Sequence, residues 1–222
     1  MDPHSSTGGH AAPTLPERLY LLSYDLDRDR LDPYSGLYRH ALLRGAALAE
    51  LSLRGLLADQ DGKAARRGGD GEPEDPLLAR VLAEVPWDRP RRWTGLVMRE
   101  PGAAERIVRE RLAEAGVITV RTRRLLGVVP LRTVTPLRPD EIRPLRERVR
   151  AAVLGGDPAA APVEDAVLAS LAVEGDVGSV FTGRERRANR HAIAALHAHV
   201  DAAVPGVRAA VRVVVTNARS GG

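Results

Sequence analysis

The residues best suited to chemistry in this sequence are arginines. Arg44 stands inside residues 36–53 (GLYRHALLRGAALAELSL), where apolar side chains fall on nearly every helical face, the pattern of a helix surrounded by others. A guanidinium that never loses its charge needs a partner or an opening to solvent in such a helix. His40 lies one turn earlier on the same face as Leu37, and Tyr34 is close to the helix start. Two readings stand: a cationic pocket floor for an anionic head group, or an internal ion pair with a carboxylate such as Glu50 or Asp25.

Other basic groups follow. Arg106 and Arg109, three apart, project to one side of a helix, although Arg106 and Glu110 also have the spacing of a surface pair of little energetic consequence. Arg184, Arg186, Arg187 and Arg190 form a second run, and Arg89, Arg91 and Arg92 a third beside Trp87 and Trp93. Indole next to guanidinium suits an interfacial membrane contact, and equally a cation–π contact on a loop. His197 and His199 are about 200° apart on a helix and only His191 and His199 share a face, so the histidines read as a solvated helix face, with no metal site expected.

The chain has no cysteine, which excludes disulfides, thiolate metal sites and a cysteine nucleophile. Gly-x-Ser-x-Gly, P-loop, Gly-x-Gly-x-x-Gly and His-Glu-x-x-His patterns do not occur, so no catalytic residue, no cofactor and no enzymatic activity are expected. The 222 residues carry 33 Lys+Arg against 29 Asp+Glu, with Lys63 the single lysine, and 3% aromatic content. Few aromatics disfavour the stacking platforms of single-stranded nucleic-acid binders. Residues 1–16 lack the basic start and apolar stretch of a signal peptide, and no run approaches the roughly 18 apolar residues of a membrane span.

These groups need elements to hold them. The length suits one globular domain, with a disordered tail over 1–14 and order from about Leu15. Residues 15–25 read as a short helix or strand edge. Helices are expected over 36–53 (the core helix), 75–85, 101–115 with Pro101 in its first turn, 140–154, 163–173 and 184–204. Residues 64–73 read as a polar hairpin or mobile loop, 117–135 as a β-hairpin broken at Gly127, 157–162 as a linker, and 207–215 as helix or strand. The fold class is mainly α: a buried core helix bundle, surrounding amphipathic helices and a small β-hairpin.

In order along the chain, these segments resemble the Golgi phosphoprotein 3-like family. The string LRGAALAELSLRG at 43–55 matches its pattern of arginine-glycine, an apolar turn, then Glu-Leu-x-Leu-Arg-Gly. Further matches are Leu15-Pro16-Glu17, Asp75-Pro76-Leu77-Leu78, Val108 to Ala113 leading to Gly116-Val117-Ile118, and later segments to Leu196. The arginine-heavy, lysine-poor usage resembles a bacterial member. The resemblance implies a domain over 15–217 acting as a peripheral membrane adaptor that binds phosphatidylinositol 4-phosphate or another anionic lipid head group. It places Arg44, Arg106, Arg109, Tyr34 and His40 at the head-group pocket, and the protein in the cytoplasm on the inner face of a membrane. It also implies cytosolic tails of membrane proteins as partners and a homo-oligomer through the hairpin 119–131. Ser35 stands where the family has a pocket tryptophan, and a gapless alignment places Gly102 and Glu105 where Arg106 and Arg109 match by their surrounding string.

One alternative comes from the residues alone. A helix at 101–115 followed by a hairpin at 117–135 has the order of a winged helix, with Arg106 and Arg109 facing phosphates or base edges of a duplex. The helix carries few polar base readers, so no nucleic-acid partner is expected.

Overall fold

The computed structural model describes residues 12–68, 71–125 and 129–220. Residues 1–11 of the expected tail, the Gly127 break and the Tyr34 side chain lie outside the described residues.

Helix α3 (Arg39–Leu53) is the centre of the molecule. Its residues 41–51 are buried on all sides, because α1 (Leu15–Leu22), α4 (Pro76–Ala83), α5 (Trp93–Met98), α6 (Ala103–Glu114), α8 (Val163–Glu174) and α11 (Val207–Ser220) pack around it. The all-round apolar pattern of 36–53 therefore reads correctly as a surrounded helix. The expected start at Gly36 falls in a separate four-residue turn, α2 (Pro33–Gly36), and α3 begins only at Arg39. Helix α7 (Pro139–Leu154) packs on α8 from outside, and α10 (Arg190–Ala203) packs on both.

The β elements are small and antiparallel. Strands β1 (Tyr24–Asp25) and β2 (Arg30–Leu31) form a short ribbon. Strands β3 (Leu57–Gln60), β4 (Lys63–Arg66) and β5 (Arg91–Arg92) make a sheet in that order, so the polar segment after the core helix is partly strand. Strands β6 (Ile118–Leu125) and β7 (Val129–Pro136) form the expected hairpin, with Ile118 opposite Pro136 and Leu125 opposite Val129.

Several boundaries differ from expectation, each for a local reason. Pro101 does not open α6. The helix is entered through Gly102 at φ 90°, a left-handed conformation that glycine adopts without the Cβ penalty. Residues 184–204 form two helices, α9 (Gly183–Ala188) and α10, separated at Asn189 (φ −107°, ψ 26°). The 157–162 linker contains a 3₁₀ turn at Pro158–Ala160. Residues 207–215 are helical.

Gly206 fixes where α11 meets α5. It sits at φ 81°, and a Cβ there would lie 2.4 Å from two atoms of the Trp93 indole. That ring is held by its own Nε1–H, which donates to Asp59 Oδ1 at 2.7 Å, so it cannot swing aside without breaking the bond. Gly206→Ala is expected to destabilise by about 2–4 kcal/mol from left-handed strain and overpacking together. Thermal unfolding followed by circular dichroism checks this, with a fall of about 2–4 °C per kcal/mol for a chain of this size.

Candidate functional site

Arg44 is fully enclosed, with 0% of its side chain exposed. It donates from Nε to the Leu96 carbonyl and from Nη2 to the Glu84 carboxylate. The internal partner is therefore Glu84, just past the end of α4, and neither of the carboxylates expected for that role. Glu50 pairs with Arg54 and accepts the Leu15 N–H at 2.7 Å, while Asp25 pairs with Arg28 at 3.0 Å. Arg44 Nη1 is buried without a hydrogen-bond partner.

A second polar cluster, nearly buried, lies one turn and more toward the start of α3. Arg39, 6% exposed, reaches Glu105 Oε1 at 3.2 Å, and Arg109, 11% exposed, reaches the same oxygen at 3.9 Å. Arg39 also donates from Nη2 to the Asp32 carbonyl at 2.7 Å and lies 3.4 Å from Ser35 Oγ, while its Nε is buried without a partner. Two guanidinium groups thus share one carboxylate oxygen, which leaves a net positive, half-dry cluster with unmet donors. Such donors are worth far more to an anion here than on an open surface.

Tyr20 and His40 complete it. Burial, with the Glu105 carboxylate second, pushes the Tyr20 phenol up to about 12, against Arg39 and Arg109, which pull it down. It therefore keeps its proton as a donor; Arg109 approaches the hydroxyl, and no acceptor takes its proton. His40 is held below the usual imidazole range, first by burial and then by Arg44, with Glu105 opposing, so it is neutral at pH 7.

The structure separates the residues singled out in the sequence. Arg109 and His40 belong to the cluster. Arg106, on the same helix one turn earlier, is half exposed and pairs with Glu110 at 3.0 Å. Arg44 lies behind His40 in the interior. Arg39, Glu105 and Tyr20 were not anticipated as site residues. Arg39 carried one signal: a cation in the first turn of a helix opposes the macrodipole and calls for a carboxylate from elsewhere.

The histidines of α10 divide: His191 is exposed, as a solvated face requires, while His197 and His199 are half-buried. His197 is 19% exposed and stands 3.9 Å from Glu174. Burial, then the Arg208 charge, hold it at about 4, with Asp201 opposing and Arg212 adding to the lowering. Its native value lies below the ordinary imidazole value of about 6.5, so the unfolded chain takes the proton first. The stability this neutral histidine supports is complete above pH 6.5 and is lost as pH falls toward 4. Urea midpoints at pH 7.5 and 5 are expected to differ less in His197→Gln than in the unsubstituted protein.

Among the described residues no group of three His, Asp or Glu side chains is placed to hold a metal ion, and no helix is long and apolar enough to cross a membrane. A comparison with family models matches Golgi phosphoprotein 3 (GPP34) over residues 15–214. The chain belongs to the Golgi phosphoprotein 3 family. The match covers every helix from α1 through α10 and the first half of α11, so the Arg39–Glu105–Arg109 cluster and the Arg44–Glu84 pair both lie within the family domain. No curated protein matches the chain.

Proposed function

We propose that this member of the Golgi phosphoprotein 3 family is a non-enzymatic peripheral membrane adaptor that holds an anionic lipid head group at the Arg39–Glu105–Arg109 cluster. The observation that carries the reading is the sharing of one carboxylate oxygen by two nearly buried guanidinium groups, with Arg39 Nε unpartnered. A phosphomonoester brings several acceptor oxygens and negative charge to donors whose demand a single carboxylate does not meet. Phosphatidylinositol 4-phosphate is the head group of this class that the family resemblance names.

In this reading Arg109 and Arg39 contact the phosphate, Tyr20 donates to it, and His40 and Arg106 border the entrance. Arg44 supports the site from behind, because its pair with Glu84 fixes the turn of α3 that carries His40. Leu37, between α2 and α3, and Met98, at the end of α5, are 78% and 55% exposed and adjoin the cluster along the chain, where acyl chains would receive them. Short cytosolic tails of membrane proteins are the proposed clients, the β6–β7 hairpin over 119–131 the proposed self-association element, and the inner face of a membrane the proposed location.

The DNA-binding alternative needs Arg109 open to a duplex. Its 11% exposure and its engagement with Glu105 favour a small head group that can enter over a rigid groove that cannot.

The test is co-sedimentation with neutral and anionic vesicles at rising salt. Binding is expected to require anionic lipid and to weaken with salt, since the outer arginines are screened over about 10 Å at 0.1 M. Equal binding to neutral vesicles contradicts the reading.

A further inference from the structure

The two tryptophans have opposite fates. Trp93 is 4% exposed and hydrogen-bonded to Asp59 at 2.7 Å, a core residue. Trp87, in the connection between α4 and β5, is 65% exposed. The Arg66 guanidinium lies over one side of its ring at 4.7 Å from the centroid and is itself steadied by Glu72 at 3.6 Å. The indole is thus held by one face with the rest of the ring open to solvent.

The charges around it are mostly uncompensated. Lys63 and Arg92 are cross-strand partners and Arg91 faces Ala64 in the same small sheet; Arg67 follows β4, and Arg89 lies two residues beyond Trp87. Among the described residues none of Lys63, Arg67, Arg89, Arg91 and Arg92 forms an ion pair. Asp88 is the one acidic residue between Trp87 and β5. An anchored, exposed indole within a field of unpaired cations matches the interfacial layer of an anionic bilayer: the ring settles at head-group level and the cations meet lipid phosphates and carboxylates.

We infer that Trp87, with Arg66, Arg89 and Arg91, is a lipid-contacting surface additional to the head-group cluster. The inference rests on the proposal that the protein works at a membrane, but the residues are different, so the two fail separately. Trp87 inserts its indole edge, Arg66 orients the ring, and Arg89 with Arg91, which pairs with Ala64 on the Arg66 face of the sheet, supplies attraction that salt screens.

The measurement is tryptophan fluorescence of the full chain with phosphatidylcholine–phosphatidylserine vesicles, with Trp87→Phe alongside and co-sedimentation on the same samples. The substituted position is exposed, so the variant folds, and Trp93 remains as a constant internal signal. The expected result is a blue shift on binding together with quenching by lipids brominated near the head group, both absent in Trp87→Phe. Trp87→Ser is expected to bind these vesicles roughly tenfold more weakly, the scale of losing one partly buried apolar side chain. Vesicle binding with unchanged Trp87 emission overturns this inference and leaves the head-group proposal standing. No binding to these vesicles also overturns this inference, while binding to phosphoinositide-containing vesicles reads out the head-group proposal separately. A shift produced by a single-stranded oligonucleotide and not by vesicles overturns it in favour of a base-stacking platform.

Discussion

Arg44→Ala is expected to lose about 3–5 kcal/mol of folding stability, the scale of removing one partner from a buried ion pair. The substitution strands the Glu84 carboxylate, 11% exposed, and leaves the Leu96 carbonyl without its donor. It also opens a cavity in the helix around which α1, α4, α5, α6, α8 and α11 pack. The unfolding midpoint should fall by about 6–20 °C. Arg44→Met combined with Glu84→Leu removes both charges while keeping volume, and should recover most of the loss, because a buried pair is worth little more than the apolar packing that replaces it. Thermal melts of the three proteins decide this; an Arg44→Ala variant within about 1 kcal/mol of the parent would show the pair to be dispensable. A charge reversal at Arg44 therefore reports on folding before it reports on lipid.

The second large effect lies at the Arg39–Glu105–Arg109 cluster and has two signs. Replacing Arg39 and Arg109 together by glutamine removes two charge-assisted donors to the phosphate. Each such interaction is worth about 1.5–3 kcal/mol, so affinity for phosphoinositide-containing vesicles should fall by at least about 100-fold. Glu105→Gln does the reverse. It removes the carboxylate that now shares both guanidinium groups and should tighten vesicle binding, at some loss of stability as like charges are left close together. A merely structural cluster predicts weaker binding, or no change, for both variants. Vesicle titrations with matched melting curves separate the two accounts.

The central helix was legible because its signal is local: apolar residues on every face need no knowledge of partners. The partner of Arg44 was not legible, since Glu84 is 40 residues away and Leu96 is 52, and nothing in the sequence distinguishes Glu84 from Glu50. The last element shows tertiary packing overriding propensity. The valine-rich stretch 207–215 suits a strand by side-chain type, yet Val207, Ala210, Val211, Val214 and Val215 recur at helical spacing and are buried in α11 against α3, α5 and α8. In α10 an alternation of histidine and alanine looked solvated, and His191 is exposed, but packing against α7, α8 and α11 half-buries His197 and His199. The site was half legible: Arg109 and His40 could be picked from the sequence, while Arg39 and Tyr20 join only because α1 and α6 pack against the first half of α3.

The most direct test of the account is a side-chain NMR titration of the arginine Nε–H signals with a soluble inositol phosphate. The account predicts saturable shifts led by Arg39, whose Nε–H has no partner in the free protein, and by Arg109, with Arg44 unaffected or following weakly. Shifts spread without saturation over exposed arginines such as Arg184 and Arg187, with Arg39 and Arg109 unmoved, would contradict it.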